Sequence, residues 1–197
     1  MTGKIIDGKE IAAQVRAEVA DEVARMVEAG LPRPGLATVL VGEDPASQVY
    51  VRSKQRACEK AGIESFGYKL PATASQEEVD NLVKELNADP KVNGILVQLP
   101  LPKGLDEERV LNLISIEKDV DGFHPLNIGR LAQKGRDPLF IPCTPAGVIE
   151  LLLRTGVKLD GANAVVLGRS NIVGMPVALL LVRHNATVTV CHSRTRD

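Results

Sequence analysis

The sequence predicts an α/β fold with mostly parallel sheets, arranged in two domains. Three observations predict it. Helical apolar periodicity alternates with short apolar strands along the whole chain. Residues 94–97 (Gly-Ile-Leu-Val) form a short continuous apolar run, the kind buried on both faces of a parallel sheet. Residues 165–176 read as a strand, a glycine turn and a helix start.

The elements follow in order. Residues 9–28 predict a long helix, with Ile11, Val15, Val19, Val23 and Val27 on one stripe and Gly30 as its stop. Residues 36–41 are an apolar strand. Asp44 then N-caps a helix with Pro45 in its first turn and Gly62 as its stop. Residues 63–70 read as a strand. Ser75-Gln76-Glu77-Glu78 is a capping box that opens a helix running toward Leu86. Strand 94–97 follows, then helix and loop through residues 106–116. Residues 117–141 are less periodic and richer in Gly, Pro, Asp and Asn, which reads as a crossover between domains. Thr144-Pro145 starts a helix through residues 151–153, stopped by Gly156. Strand 164–167, helix 175–183 and strand 187–190 complete the chain. The expected domains are 1–122, a crossover 123–141, and 142–197. The last looks like an incomplete dinucleotide-binding unit, because such sheets have more strands than the two found here.

Composition sets the outer bounds. The chain has 197 residues, 44% of them hydrophobic and 25% charged, as in ordinary soluble globular proteins. A formal net charge of -1 argues against an electrostatic nucleic-acid partner. No apolar run approaches the roughly 18 residues of a membrane span, and the start lacks the apolar core of a signal peptide, so a cytoplasmic protein is expected. Cys58, Cys143 and Cys191 are far apart, and His124, His184 and His192 lack ligand spacing. Neither a disulfide framework nor a metal site is expected.

Tyr50 and Lys54 are the most informative pair. Four residues apart on a helix, they share a face. A flat ring beside a tunable base suits a flat heterocyclic substrate. Taken alone, such a pair is more often a solvated Lys beside a half-buried Tyr, and the other segments decide. Gln98 follows strand 94–97, at the carboxyl end where ligands of open α/β sheets sit, and Leu99 and Pro100 follow it. Its amide donates and accepts at once. Asp119 and Asp121 put two acids on one loop before Gly122. An acid there suits the donor edge of a pterin-like ring, and an Asx-turn is the plain alternative.

The turn Gly168-Arg169-Ser170-Asn171-Ile172-Val173-Gly174 departs from Gly-x-Gly-x-x-Gly, with Ser170 at the second glycine position. Its setting between strand and helix still suits a pyrophosphate. The next strand ends in Cys191-His192-Ser193-Arg194-Thr195-Arg196, without the acid that an NAD ribose needs. Hydroxyl and basic groups there, with Arg169, suit a 2′-phosphate. NADP is therefore expected over NAD, held by Gly168, Arg169, Ser170, Ile172, Val173, Gly174, His192, Ser193 and Arg194.

Five ordered segments together resemble the bifunctional methylenetetrahydrofolate dehydrogenase/methenyltetrahydrofolate cyclohydrolase family. They are Tyr50-Val51-Arg52-Ser53-Lys54, the run from Gly94 to Pro102, Lys118-Asp119-Val120-Asp121-Gly122, Pro142-Cys143-Thr144-Pro145, and the turn from Gly168 to Gly174. The resemblance covers essentially the whole chain. It implies an N-terminal catalytic domain, a Rossmann-type NAD(P)-binding domain and a homodimer. It also implies NADP-dependent oxidation of 5,10-methylenetetrahydrofolate, then hydrolysis to 10-formyltetrahydrofolate. Lys54 matches the catalytic Lys, Gln98 its partner, Asp121 the pterin anchor and Tyr50 the ring that stacks on folate. Leu99 and Pro100 fall among the substrate-binding positions. Family members continue past residue 197, so a catalytically incomplete folate-binding fragment is one rival. A dehydrogenase of another small substrate is a second, and would have no use for the Tyr50, Lys54 and Gln98 set. A nucleoside triphosphatase is disfavoured, because no Gly-x-x-x-x-Gly-Lys-Ser/Thr occurs.

Overall fold

The computed structural model describes residue 3 and residues 5–196. Residues 1, 2, 4 and 197 lie outside the described residues, among them the outer bounds, 1 and 197, of the expected domains. Helix α1 (Gly8–Glu28) leads into β1 (Gly35–Val41), α2 (Pro45–Lys60), β2 (Glu64–Leu70), α3 (Gln76–Ala88), β3 (Gly94–Val97) and α4 (Glu107–Leu113). Then come α5 (Pro125–Leu131), α6 (Cys143–Arg154), β4 (Asn163–Leu167), α7 (Gly174–Arg183) and β5 (Thr187–Cys191). The chain divides into two compact units. One comprises residues 12–120, and the other joins residues 121–196 to the described residues before Ala12.

The first unit is built on a three-stranded parallel sheet in the order β2-β1-β3. Central β1 pairs along its whole length with β2, from Gly35 opposite Glu64 to Val41 opposite Leu70. The outer edge of β3 is covered too: the Ile95 N–H donates to the Lys118 carbonyl at 2.8 Å, and Ile95 bridges in parallel to Asp119. All four residues of β3 are buried, as the continuous apolar run predicts. Val39, Val79, Val83, Ile95 and Val110 are 0% exposed and form the centre of the core. Each such side chain contributes about 1.5–3 kcal/mol by leaving water.

Local signals fix the helices of this unit. The Asp44 carboxylate accepts from the Ser47 N–H at 2.7 Å and starts α2, with Pro45 in the first turn. Ser75 and Glu78 complete the capping box of α3 in both directions. The stripe expected on α1 is a partial correction. Val23 is buried, but Val19 and Val27 stay exposed at 41% and 39%. Gly62 packs against Val23, and Val27 borders an open groove beside it.

The second unit has a two-stranded parallel sheet, β4-β5, with Asn163 opposite Thr187 and Leu167 opposite Cys191. Its core gathers Leu131, Ile149, Leu159, Val177, Leu180 and Leu181. Residues 123–141, expected as a crossover, contain helix α5. It is seven residues long, with His124 as its cap and Pro125 in its first turn. Its Leu131 is buried in this core, and buried Asn127 accepts from the Leu139 N–H at 2.9 Å.

Candidate functional site

Backbone geometry brings two of the expected residues together. Gln98 continues the β3 ladder by one step, its N–H donating to the Val39 carbonyl at 2.9 Å. That bond fixes the residue at the carboxyl end of the sheet. Lys54 lies in the third turn of α2, and its Nζ donates to Gln98 Oε1 at 3.2 Å. The Gln98 amide nitrogen donates in turn to the Leu99 carbonyl at 2.8 Å. The Gln98 amide is thereby oriented with its oxygen toward the amine. Lys54 is half-buried, Tyr50 one turn earlier is 61% exposed, and Pro100 is exposed after a cis Leu99–Pro100 bond. An amine held by a neutral partner, one turn from an open aromatic ring, can position a flat substrate and move a proton.

The two acids of the 119–121 loop separate. Asp119 is buried at 1% exposure in the first unit, beside the β3 edge. Asp121 is half-buried and begins the stretch that belongs to the second unit. Lys118, part of the same motif, serves the fold. Its ammonium donates to the carbonyls of Leu86, Asn87 and Asp89 at 3.1, 2.8 and 2.8 Å, closing the C-terminus of α3. Pattern reading has no signal for that contact, because it depends on which helix end the loop passes. Cys58 is buried under α2, and desolvation pushes its thiol up, away from the reactive thiolate.

Four of the nine expected cofactor residues, Gly168, Arg169, His192 and Ser193, line a hollow at the carboxyl ends of β4 and β5; Ser170, Ile172, Val173, Gly174 and Arg194 lie outside its lining. Leu167, Gly168, Arg169, Cys191, His192 and Ser193 line about 360 Å³ there. Gly168 has φ 122°, a conformation glycine tolerates and other residues resist. Gly174 is constrained by space instead: a Cβ would lie 2.5 Å from the Gly168 carbonyl oxygen. Ser170, at the second glycine position, has a structural role. Its Oγ accepts from the Val173 and Gly174 N–H groups at 3.2 and 3.1 Å, closing the start of α7. A hydroxyl that accepts twice still has its own proton to donate. Beyond β5, the Thr195 hydroxyl accepts from the His192 N–H at 2.8 Å, and His192 Nδ1 accepts from the Arg194 N–H at 3.1 Å. Thr195 is legible in the sequence among the groups at this strand end; that it closes the turn onto His192 is not. The signal was a hydroxyl three residues after His192, where Ser and Thr make local turns. Ser193 and Arg194 are exposed, as are Arg169 and Ile172.

Residues 6–121 match the tetrahydrofolate dehydrogenase/cyclohydrolase catalytic domain, and residues 142–197 match the NAD(P)-binding domain of the same enzymes. The chain belongs to the tetrahydrofolate dehydrogenase/cyclohydrolase family. Bifunctional protein FolD 2 of Arabidopsis thaliana is 58% identical over 196 residues, covering 100% of this chain and 66% of that protein. Bifunctional protein FolD of Moorella thermoacetica is also 58% identical, over 100% of this chain and 69% of its own length. The Trypanosoma brucei methylenetetrahydrofolate dehydrogenase-cyclohydrolase, solved with NADP and an inhibitor, superposes with a TM-score of 0.93 at 42% identity. That match covers 99% of this chain and 66% of the trypanosomal one. The chain thus spans about two thirds of the length of these family members. The α/β class and the NAD(P)-binding second unit agree with the sequence expectation. Among the described residues, no helix is long and apolar enough to cross a membrane.

Proposed function

We propose that this protein oxidises 5,10-methylenetetrahydrofolate with NADP and hydrolyses the resulting methenyl compound to 10-formyltetrahydrofolate. The observation that carries this reading is the Lys54–Gln98 hydrogen bond at 3.2 Å, at the carboxyl end of β3 and one turn from Tyr50. Membership of the family supports it. The domains in this reading remain 1–122 and 142–197, joined by 123–141.

The residues divide the work. Tyr50, Leu99 and Pro100 would support the folate ring system, and Asp121 would accept from the donor edge of its pterin. The glycine turn fits a dinucleotide: Gly168 and Gly174 would give close backbone approach, and the Ser170 hydroxyl, whose proton the two bonds it accepts leave unused, would donate. Arg169, Ser193 and Arg194 would hold the 2′-phosphate, with Ile172, Val173 and His192 beside them. When bound, NADP accepts the hydride of the methylene carbon. In the hydrolytic step Lys54 takes a proton from water as its oxygen bonds to the methenyl carbon. The bond from that carbon to N5 then opens as N5 takes up a proton and the carbinol O–H gives one up, leaving the formyl group on N10. Gln98 keeps the amine aimed without placing a negative charge beside it. The same reading places a homodimer in the cytoplasm.

The test is absorbance-monitored turnover of methylenetetrahydrofolate by this chain, with NADP and NAD in parallel. Formation and decay of the methenyl chromophore with NADP are expected. Lys54→Met should slow the decay by about 100-fold or more, the usual scale of a general base. Full hydrolysis in Lys54→Met would remove Lys54 from the mechanism. Folate binding without turnover in either cofactor would leave the chain as a folate-binding unit alone.

A further inference from the structure

Helix α2 has two working faces, and the proposed reaction uses one. Tyr50 and Lys54 turn toward the end of β3, where Lys54 meets Gln98. Gln48, Arg52 and Gln55, spaced four and three residues apart, share a different face, turned toward β2. Between them and Gly67, Tyr68 and Lys69 a cavity of about 230 Å³ opens. It exists because residue 67 lacks a side chain: a Cβ there would lie 2.5 Å from Gln55 Nε2.

The lining is one-sided in charge. It carries a guanidinium, an ammonium, two amides and a phenol, and no carboxylate. Arg52 is exposed, and no ion pair or hydrogen bond holds it among the described residues. Lys69 meets Glu43 at 3.3 Å, but those side chains are 56% and 77% exposed, so the pair is weak and exchangeable. Gln48 and Gln55 are already turned by the Glu43 carbonyl at 3.1 Å and by Thr38 Oγ1 at 3.4 Å. Two uncommitted or weakly held cations above an amide-lined hollow fit carboxylates.

We propose that this β2-side pocket is a subsite for the carboxylates of the substrate's γ-linked glutamate tail, with Arg52 and Lys69 as its specificity-determining residues. The proposal rests on the folate reading above. A folate ends in a glutamate, and each further γ-linked glutamate adds one carboxylate. The two faces lie within one helix width, about 10–12 Å including side chains. A tail leaving a ring stacked on Tyr50 therefore meets Arg52 by passing around α2, and longer tails reach further into the pocket.

The experiment is calorimetric titration of the chain with tetrahydrofolate carrying one glutamate and with tetrahydrofolate carrying five. The wild type should bind the five-glutamate form about 3- to 10-fold more tightly, the scale of two exposed charge pairs. The ratio should shrink as salt is raised. Arg52→Ala with Lys69→Ala should bring the ratio below about twofold, and Arg52→Lys should keep part of it. Equal affinities in the wild type, or a ratio that survives the double substitution, would overturn the subsite. Loss of affinity for both forms in equal measure would also overturn it, as a structural effect. A wild type that binds neither form would instead overturn the folate reading itself, so the two failures are distinguishable.

Discussion

Gly174 shows how a single missing side chain shapes the cofactor turn. It opens α7, where alanine would ordinarily be favoured over glycine by about 0.5–1 kcal/mol. A Cβ there would sit 2.5 Å from the Gly168 carbonyl oxygen and 2.9 Å from the Arg169 nitrogen, both backbone atoms that cannot rotate away. The overpacking cost, about 1–3 kcal/mol, wins. Gly174→Ala should therefore lower the urea midpoint and raise the NADP dissociation constant about tenfold or more. An alanine variant with unchanged midpoint and NADP affinity would show that the turn relaxes freely. At this scale the sequence was only half legible. Lys54 and Gln98, forty-four positions apart, meet as the family pattern implied. The double acceptance by Ser170 Oγ was hidden, because it depends on the turn's path and not on spacing.

The helices were the most legible elements, because their ends are local chemistry. Asp44, Ser75, Gly30, Gly62 and Gly156 all stand where capping and stop signals placed them. Helix α5 escaped because it is short and its cap is His124, outside the usual Ser, Thr, Asp and Asn. The carboxylate caps also carry a pH dependence. The Ser47 N–H holds the Asp44 carboxyl below its usual range, and the Ser75 N–H does the same for Glu78. A carboxyl lowered in the folded state stabilises fully above its unfolded pKa, about 3.9 for Asp and 4.3 for Glu. That stability fades as pH falls through the lower folded values. Urea midpoints should thus decline below about pH 4. The decline should be shallower in an Asp44→Asn, Glu78→Gln variant, whose amides still accept but do not titrate. Parallel pH profiles for the two proteins would show that the caps add nothing to this dependence.

At the level of the whole molecule, parallel pairing was legible from the alternation of strand and helix and from the continuous apolar run of β3, which needs cover on both faces. The assignment of the described residues before Ala12 to the second unit was not, since no local pattern encodes it. The two sheets also differ in cover. In the first, β1 and β3 are buried throughout apart from Leu36. In the second, Ala164, Val166 and Val188 pack on the core while the opposite face leaves Val165 and Leu167 exposed at 66% and 85%. Thr187 and Thr189 extend that open face along β5. Its consequence is colloidal. A β-branched, apolar, two-stranded surface invites other copies to lie against it, and at high concentration contacts between such faces compete with solubility. With a net charge of only -1, little long-range repulsion opposes them. Val165→Lys should raise the concentration at which light scattering begins, with the far-ultraviolet dichroism unchanged; the storage buffer, before any assay, is where this face first matters.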